Sequence, residues 1–210
     1  MNRPLFYERL QERRDDLTIH TAKREKVKRT RKGFTLIELL IVVVVVGVLA
    51  ALIIPNVVTA TQKAKQKETM KQIVNIATAC SMYVTNTGYA PDAGNQSGPL
   101  EAGSNFLSEI SPIFIKVCPI NDQWGNPYHV YTGTAVASAY GIPAANLGND
   151  EFLIVSLGRD GEVGGNVSFT YQPNNPIPGL YKVSSIEDFK NDLVSLNGAW
   201  IHAPSVSVKD

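Results

Sequence analysis

One carboxylate stands apart in this chain: Glu38 is the only ionisable side chain among the 21 residues from Phe34 to Ile54. An ionised carboxylate in apolar surroundings is costly unless it is paired or neutralised, so Glu38 needs a partner. By residue type alone Asp160-Gly161, inside Ser156-Leu157-Gly158-Arg159-Asp160-Gly161, reads as a hairpin turn, and Asp188 and Asp192 as solvated helix charges. Cys80 and Cys118 are the only cysteines. A bridge between them would stabilise by about 3–4 kcal/mol through chain entropy, or Cys80 is simply a small buried helix residue. The patterns G-x-S-x-G, P-loop, H-E-x-x-H and C-x-x-C are absent, and His20, His129 and His202 are dispersed. No enzyme is expected, and the histidines read as surface or turn residues.

These groups must be positioned by a chain of very uneven character. Helical residues Phe34–Ile54 would cover roughly 30 Å, the thickness of a bilayer's hydrocarbon core. Residues 1–33 hold 11 Lys+Arg against 5 Asp+Glu, which leaves 9 against 14 of the chain's 20 and 19. A basic flank before an apolar segment favours a cytoplasmic leader and an extracytoplasmic remainder, the side where a disulfide is permitted. The run Lys23–Lys32 lacks aromatic interleaving, so no nucleic-acid partner is expected. Residues 1–33 read as a detachable leader.

Beyond Pro55, Ile73, Ile76, Ala77, Cys80, Tyr83 and Val84 recur at helical spacing. One helix over Phe34–Thr87 is expected, stopped by Gly88 and Pro91, with bending or unwinding between Gly47 and Pro55. The domain division is then a leader 1–33, an apolar helix 34–54, an amphipathic helix 55–88 and a head 89–210. Apolar runs at Tyr128–Tyr131, Glu151–Ser156 and Gly179–Val183 predict strands, and Asn105–Ile110 a short helix before Pro112. The expected fold class is α+β, a small antiparallel sheet against the amphipathic half-helix.

Lys32-Gly33-Phe34-Thr35-Leu36-Ile37-Glu38, run into Leu39-Leu40-Ile41 and the valine block, resembles the class III signal of type IV prepilins and pseudopilins. The resemblance implies a pilin fold and cleavage between Gly33 and Phe34 by a membrane-embedded prepilin peptidase, with N-methylation of Phe34. Gly33, lacking a Cβ, suits close approach of a peptidase to the backbone. The cut would create an ammonium at Phe34 that Glu38 can meet, within the subunit or on a neighbour, as the family does to set filament register. A signal-peptidase site at Val58-Thr59-Ala60, releasing a chain from Thr61, fits less well because the apolar segment exceeds the roughly 7–15 residues of a secretory signal.

Asp122-Gln123-Trp124-Gly125-Asn126-Pro127-Tyr128, followed by Ser156–Gly161 with Gly164-Gly165, resembles the head of type II secretion major pseudopilins. There a "DPWGNPY"-like turn leads to a strand and a "SLGADG"-like loop begins a calcium site. The resemblance implies calcium held by Leu157 and Asp160, and, across an insertion at about 167–189, by Lys190, Asp192 and Leu193 of a stretch similar to the family's "DIVSW". Implied partners are identical subunits in a helical filament, an inner-membrane assembly platform and minor pseudopilins. The implied location is a single-pass inner-membrane protein with a periplasmic head. A type IV pilin of a surface fibre and a membrane-anchored binding protein or enzyme are the alternatives.

Overall fold

A computed structural model describes residues 33–137, 139–144, 147–164, 171–172, 174–175 and 179–205. The leader before Gly33 and, within the expected insertion at 167–189, residues 167–170, 173 and 176–178 lie outside the described residues. Two compact units divide the chain, Met1–Val48 and Leu49–Asp210.

Helix α1 (Leu36–Thr87) has 52 residues and matches the expected span to within two residues at its start. In the first unit every described residue, Gly33 to Val48, is solvent-exposed. A helix apolar on all sides needs lipid or other protein around it, and α1 is long and apolar enough to cross a membrane.

The expected unwinding between Gly47 and Pro55 is absent, because helix runs without interruption through both residues. Proline deletes one N–H and therefore one bond of the ladder. Just beyond it, the Asn56 side-chain Nδ2 donates to the Leu52 carbonyl at 3.5 Å and the Thr59 hydroxyl to the Pro55 carbonyl at 3.1 Å.

In the second unit α1 buries Gln66, Thr69, Ile73, Ile76, Ala77, Ala79, Cys80 and Tyr83. Among the described residues the sheet has six strands: β1 (Ser97–Pro99), β2 (His129–Thr132), β3 (Phe152–Ser156), β4 (Leu180–Tyr181), β5 (Leu193–Leu196) and β6 (Ala199–Pro204). Their order is β1-β2-β3-β5-β6-β4. All neighbours are antiparallel except β4, which lies parallel to β6 on the edge, so the sheet is the small, mainly antiparallel one expected. Helix α2 (Asn105–Ile110), capped by the Ser104 hydroxyl, lies where expected.

The central strand β3 is buried at all five positions, and alternation explains why. Phe152 and Ile154 join the core under α1, with Ile73, Ile76, Cys80 and Leu193. Leu153 and Val155 face a second cluster, with Val136, Ile142, Leu157, Val194 and Ile201. The sheet is thus covered on one face by α1 and on the other by the segment between β2 and β3.

Candidate functional site

At the start of α1, Gly33 and Phe34 are exposed and a Cβ on Gly33 would meet nothing within 4 Å. Glu38 is already partnered by its own helix end. Its Oε2 accepts from the Thr35 amide at 2.9 Å and the Thr35 hydroxyl at 2.8 Å, while Thr35 Oγ1 accepts from the Glu38 amide at 3.2 Å. This is a capping box, in which the two side chains satisfy each other's unpaired backbone amides at a helix N-terminus. The T-x-x-E spacing is present in the sequence, and it gives Glu38 a partner on its own helix end, besides the Phe34 ammonium that the resemblance implies.

The Asp122–Asn126 loop is organised around one carboxylate. Asp122, 6% exposed, accepts at Oδ1 from the amides of Trp124 (2.9 Å) and Asn126 (3.0 Å), and at Oδ2 from the Ser156 hydroxyl (2.7 Å). Burial pushes its pKa up against the pull of these bonds. The loop is tied to α1 by Gln123 N donating to Thr69 Oγ1 at 3.2 Å and Trp124 Nε1 donating to Gln62 Oε1 at 2.7 Å. On its other side Asn126 Nδ2 donates to the Gly158 carbonyl at 2.8 Å. The loop therefore fastens the 156–161 turn to the helix.

Of the residues expected to hold calcium, Leu157 and Asp160 lie in the turn after β3, Lys190 and Asp192 on the approach to β5, and Leu193 at its start. Gly158 has φ +65°, and a Cβ there would lie 2.8 Å from the carbonyl oxygens of Lys190 and Asn191 and 2.9 Å from that of Phe189. The missing side chain lets these carbonyls close on the turn, and Arg159 N donates to Phe189 O at 2.8 Å. Asp160 is exposed, with Oδ1 accepting from Glu162 N at 3.3 Å. Leu157 and Leu193 are buried.

Asp192 is fully buried, contrary to the reading of it as a solvated charge. Its Oδ2 accepts from the Tyr140 hydroxyl at 2.6 Å and the Gly164 amide at 2.8 Å. Its Oδ1 is buried without a hydrogen-bond partner among the described residues. Burial, reinforced by the nearby Asp160 charge, raises its carboxyl from the usual 3.8 to about 6. A buried carboxylate oxygen with no partner among the described residues is a donor that suits a hard cation. Groups of three or more His, Cys, Asp or Glu suited to a metal are absent among the described residues; any ion here would depend on carbonyls.

Asp188 is spent elsewhere: it forms a capping box with Ser185 and accepts from the Ser184 and Ser185 amides at 2.7 Å each. The Lys190 ammonium pairs with Glu187 at 2.5 Å, as does Arg159 at 3.6 Å, so Lys190 can offer only its carbonyl. Tyr140 carried no sequence signal, because nothing in its neighbourhood resembles a metal loop.

Cys80 and Cys118 are free thiols in the core under α1, so the contemplated disulfide is not formed in this structure. Burial pushes both thiols up, that of Cys118 to about 12. His202 is not a surface or turn residue: it is buried in β6, with Nδ1 2.9 Å from the Gly179 carbonyl and burial lowering its pKa. His129 is half-buried in β2, and His20 lies outside the described residues.

A helix apolar at its start, continuing into a half that packs on a small sheet, with an exposed Gly33-Phe34 junction before it, defines a pilin-like subunit. Residues 28–54 match the prokaryotic N-terminal methylation motif, and residues 56–170 match type II secretion system protein G. The chain belongs to the type II secretion system protein G family.

Among its relatives is the type II secretion system core protein G of Aeromonas hydrophila, 31% identical over 141 residues, covering 65% of this chain and 89% of that protein. The Pseudomonas aeruginosa core protein G is 32% identical over 145 residues, 66% and 91% of the two chains. The type IV major pilin protein of Myxococcus xanthus is 38% identical over 77 residues, only 32% and 35%. No solved structure matches.

Proposed function

We propose that this chain is the structural subunit of a periplasmic filament in a type II protein secretion system. It is cut after Gly33 by a prepilin peptidase, N-methylated at Phe34, and polymerised through α1 to help drive export of folded proteins. The observation that carries this reading is a methylation motif at residues 28–54 leading straight into a protein G head at 56–170, with the junction on one helix. Its partners are then identical subunits, the inner-membrane assembly platform and minor pseudopilins. The work is mechanical rather than enzymatic. In the membrane the apolar segment of α1 faces lipid; in the filament it faces its copies. Glu38 exchanges its capping box for the Phe34 ammonium of a neighbour, and the segment from Gly47 to Pro55, one hydrogen bond short, unwinds on assembly.

The calcium reading rests on Leu157, Asp160, Lys190, Asp192 and Leu193. A bound ion would neutralise Asp192 and draw the 156–161 turn to the start of β5, completing the head that the filament displays.

Two expected results test the assembly reading. Mass spectrometry of the membrane-extracted protein should find a mature species beginning at N-methylated Phe34; an intact Met1 or a start at Thr61 would refute it. Deletion of the gene should stop exoprotein release and leave surface fibres in place. Fibre loss with normal secretion would instead support the pilin reading, which the Myxococcus xanthus relative favours over only 35% of its own length.

A further inference from the structure

Tyr140 sits in the 3-10 turn Ala139–Gly141 with φ +52°, a left-handed conformation that a bulky side chain rarely takes. Glycine or asparagine would adopt it at lower cost. Something other than backbone preference therefore keeps a tyrosine here, and three contacts show what it does. Its carbonyl accepts from the Tyr171 amide at 2.9 Å. Its ring packs on the second core cluster with Val155, Leu157 and Val194. Its hydroxyl donates to Asp192 Oδ2 at 2.6 Å.

Phenylalanine would satisfy the ring packing equally well, so the hydroxyl is the distinguishing feature. Together with the Gly164 amide at 2.8 Å, it occupies one carboxylate oxygen and leaves the other, Oδ1, buried without a partner among the described residues. Had the purpose been only to satisfy Tyr140 and Gly164, an asparagine at 192 would accept both bonds without placing a charge in the interior.

We infer that Tyr140 is a positioning residue for calcium: it fixes the Asp192 carboxylate so that Oδ2 is held by the protein and Oδ1 is presented to the ion. This rests on the calcium reading above and adds to it a residue from a separate loop, before β3. Groups that orient a metal ligand without touching the metal typically change affinity by about 10–100-fold when lost.

The test uses the full chain in detergent micelles, stripped with chelator and titrated with calcium by calorimetry and by melting temperature, as wild type, Tyr140→Phe and Asp192→Asn. Calcium should bind and stabilise wild type. Tyr140→Phe should bind about 10–100-fold more weakly, and Asp192→Asn should lose the calcium-induced rise. A Tyr140→Phe protein with wild-type affinity overturns the role of Tyr140 and leaves the calcium reading standing. A wild type that ignores calcium overturns both.

Should Tyr140→Phe fail to fold, wild type alone decides through its tyrosine difference spectrum. Calcium should shift tyrosine absorption as Asp192 shares its charge with the ion. Calcium binding with no such shift overturns the inference.

Discussion

Gly158→Ala is expected to lower the melting temperature of the calcium-free protein by roughly 6–12 °C, from a cost of about 3 kcal/mol at about 2–4 °C per kcal/mol for a domain of this size. Two effects add. At φ +65° a residue with a Cβ gives up about 1 kcal/mol relative to glycine. The methyl would also stand 2.8–2.9 Å from three backbone carbonyl oxygens, of Phe189, Lys190 and Asn191. Forcing extra volume into a packed site costs about 1–3 kcal/mol, and backbone cannot rotate aside as a side chain can. Gly125→Ala is the internal comparison: its φ is +97°, but nothing lies within 4 Å of the added carbon. Thermal unfolding followed by circular dichroism should therefore place Gly125→Ala well above Gly158→Ala. Equal losses would mean that the carbonyls do not hold the turn as closely as the distances state. Because Lys190 is among the expected calcium donors, the same methyl should also weaken calcium binding.

How far this arrangement could be read from the residues depends on the range of the interaction that fixes each part. The apolar and amphipathic halves of α1 were legible because hydropathy and helical spacing are local, and Leu36–Thr87 falls where the pattern put it. Strands β2 and β3 were legible for the same reason. Strands β1, β5 and β6 were not. Ser97–Pro99 contains glycine and proline, Leu193–Leu196 was read only as part of a metal motif, and Ala199–Pro204 carries a tryptophan and a histidine that gain their places from burial against the rest of the sheet. Pro55 acts in the other direction: its local preference argues for unwinding, yet in the single subunit one missing bond inside a 52-residue helix does not interrupt it.

The same division applies to the candidate site. Gly33, Phe34 and Glu38 form one contiguous stretch, and so do the turn residues of 156–161. Asp192 was found by resemblance, but its burial, its orphaned oxygen and its tyrosine partner 52 positions away depend on chain segments that meet only in the folded head.

The calcium-free protein should lose stability as pH rises through the range in which Asp192 ionises. In the folded head its carboxyl titrates at about 6 rather than 3.8, chiefly because burial opposes the charge. A group whose pKa is raised by folding stabilises the fold fully below its unfolded value, and that contribution disappears as pH climbs through the folded one. The shift corresponds to about 3 kcal/mol, lost between about pH 4 and pH 6–7. Asp122 is shifted the same way by burial, whereas His202, lowered by burial, adds the opposite slope as pH falls. Subtracting the profile of Asp192→Asn from that of wild type removes these shared terms and leaves the contribution of Asp192. Denaturant unfolding across pH 4–8 in chelator should give a difference that falls with pH, and saturating calcium should abolish the fall by compensating the charge. Parallel profiles in chelator would sink the claim that an ionised Asp192 strains the empty head, and with it the reason for a cation to be drawn there.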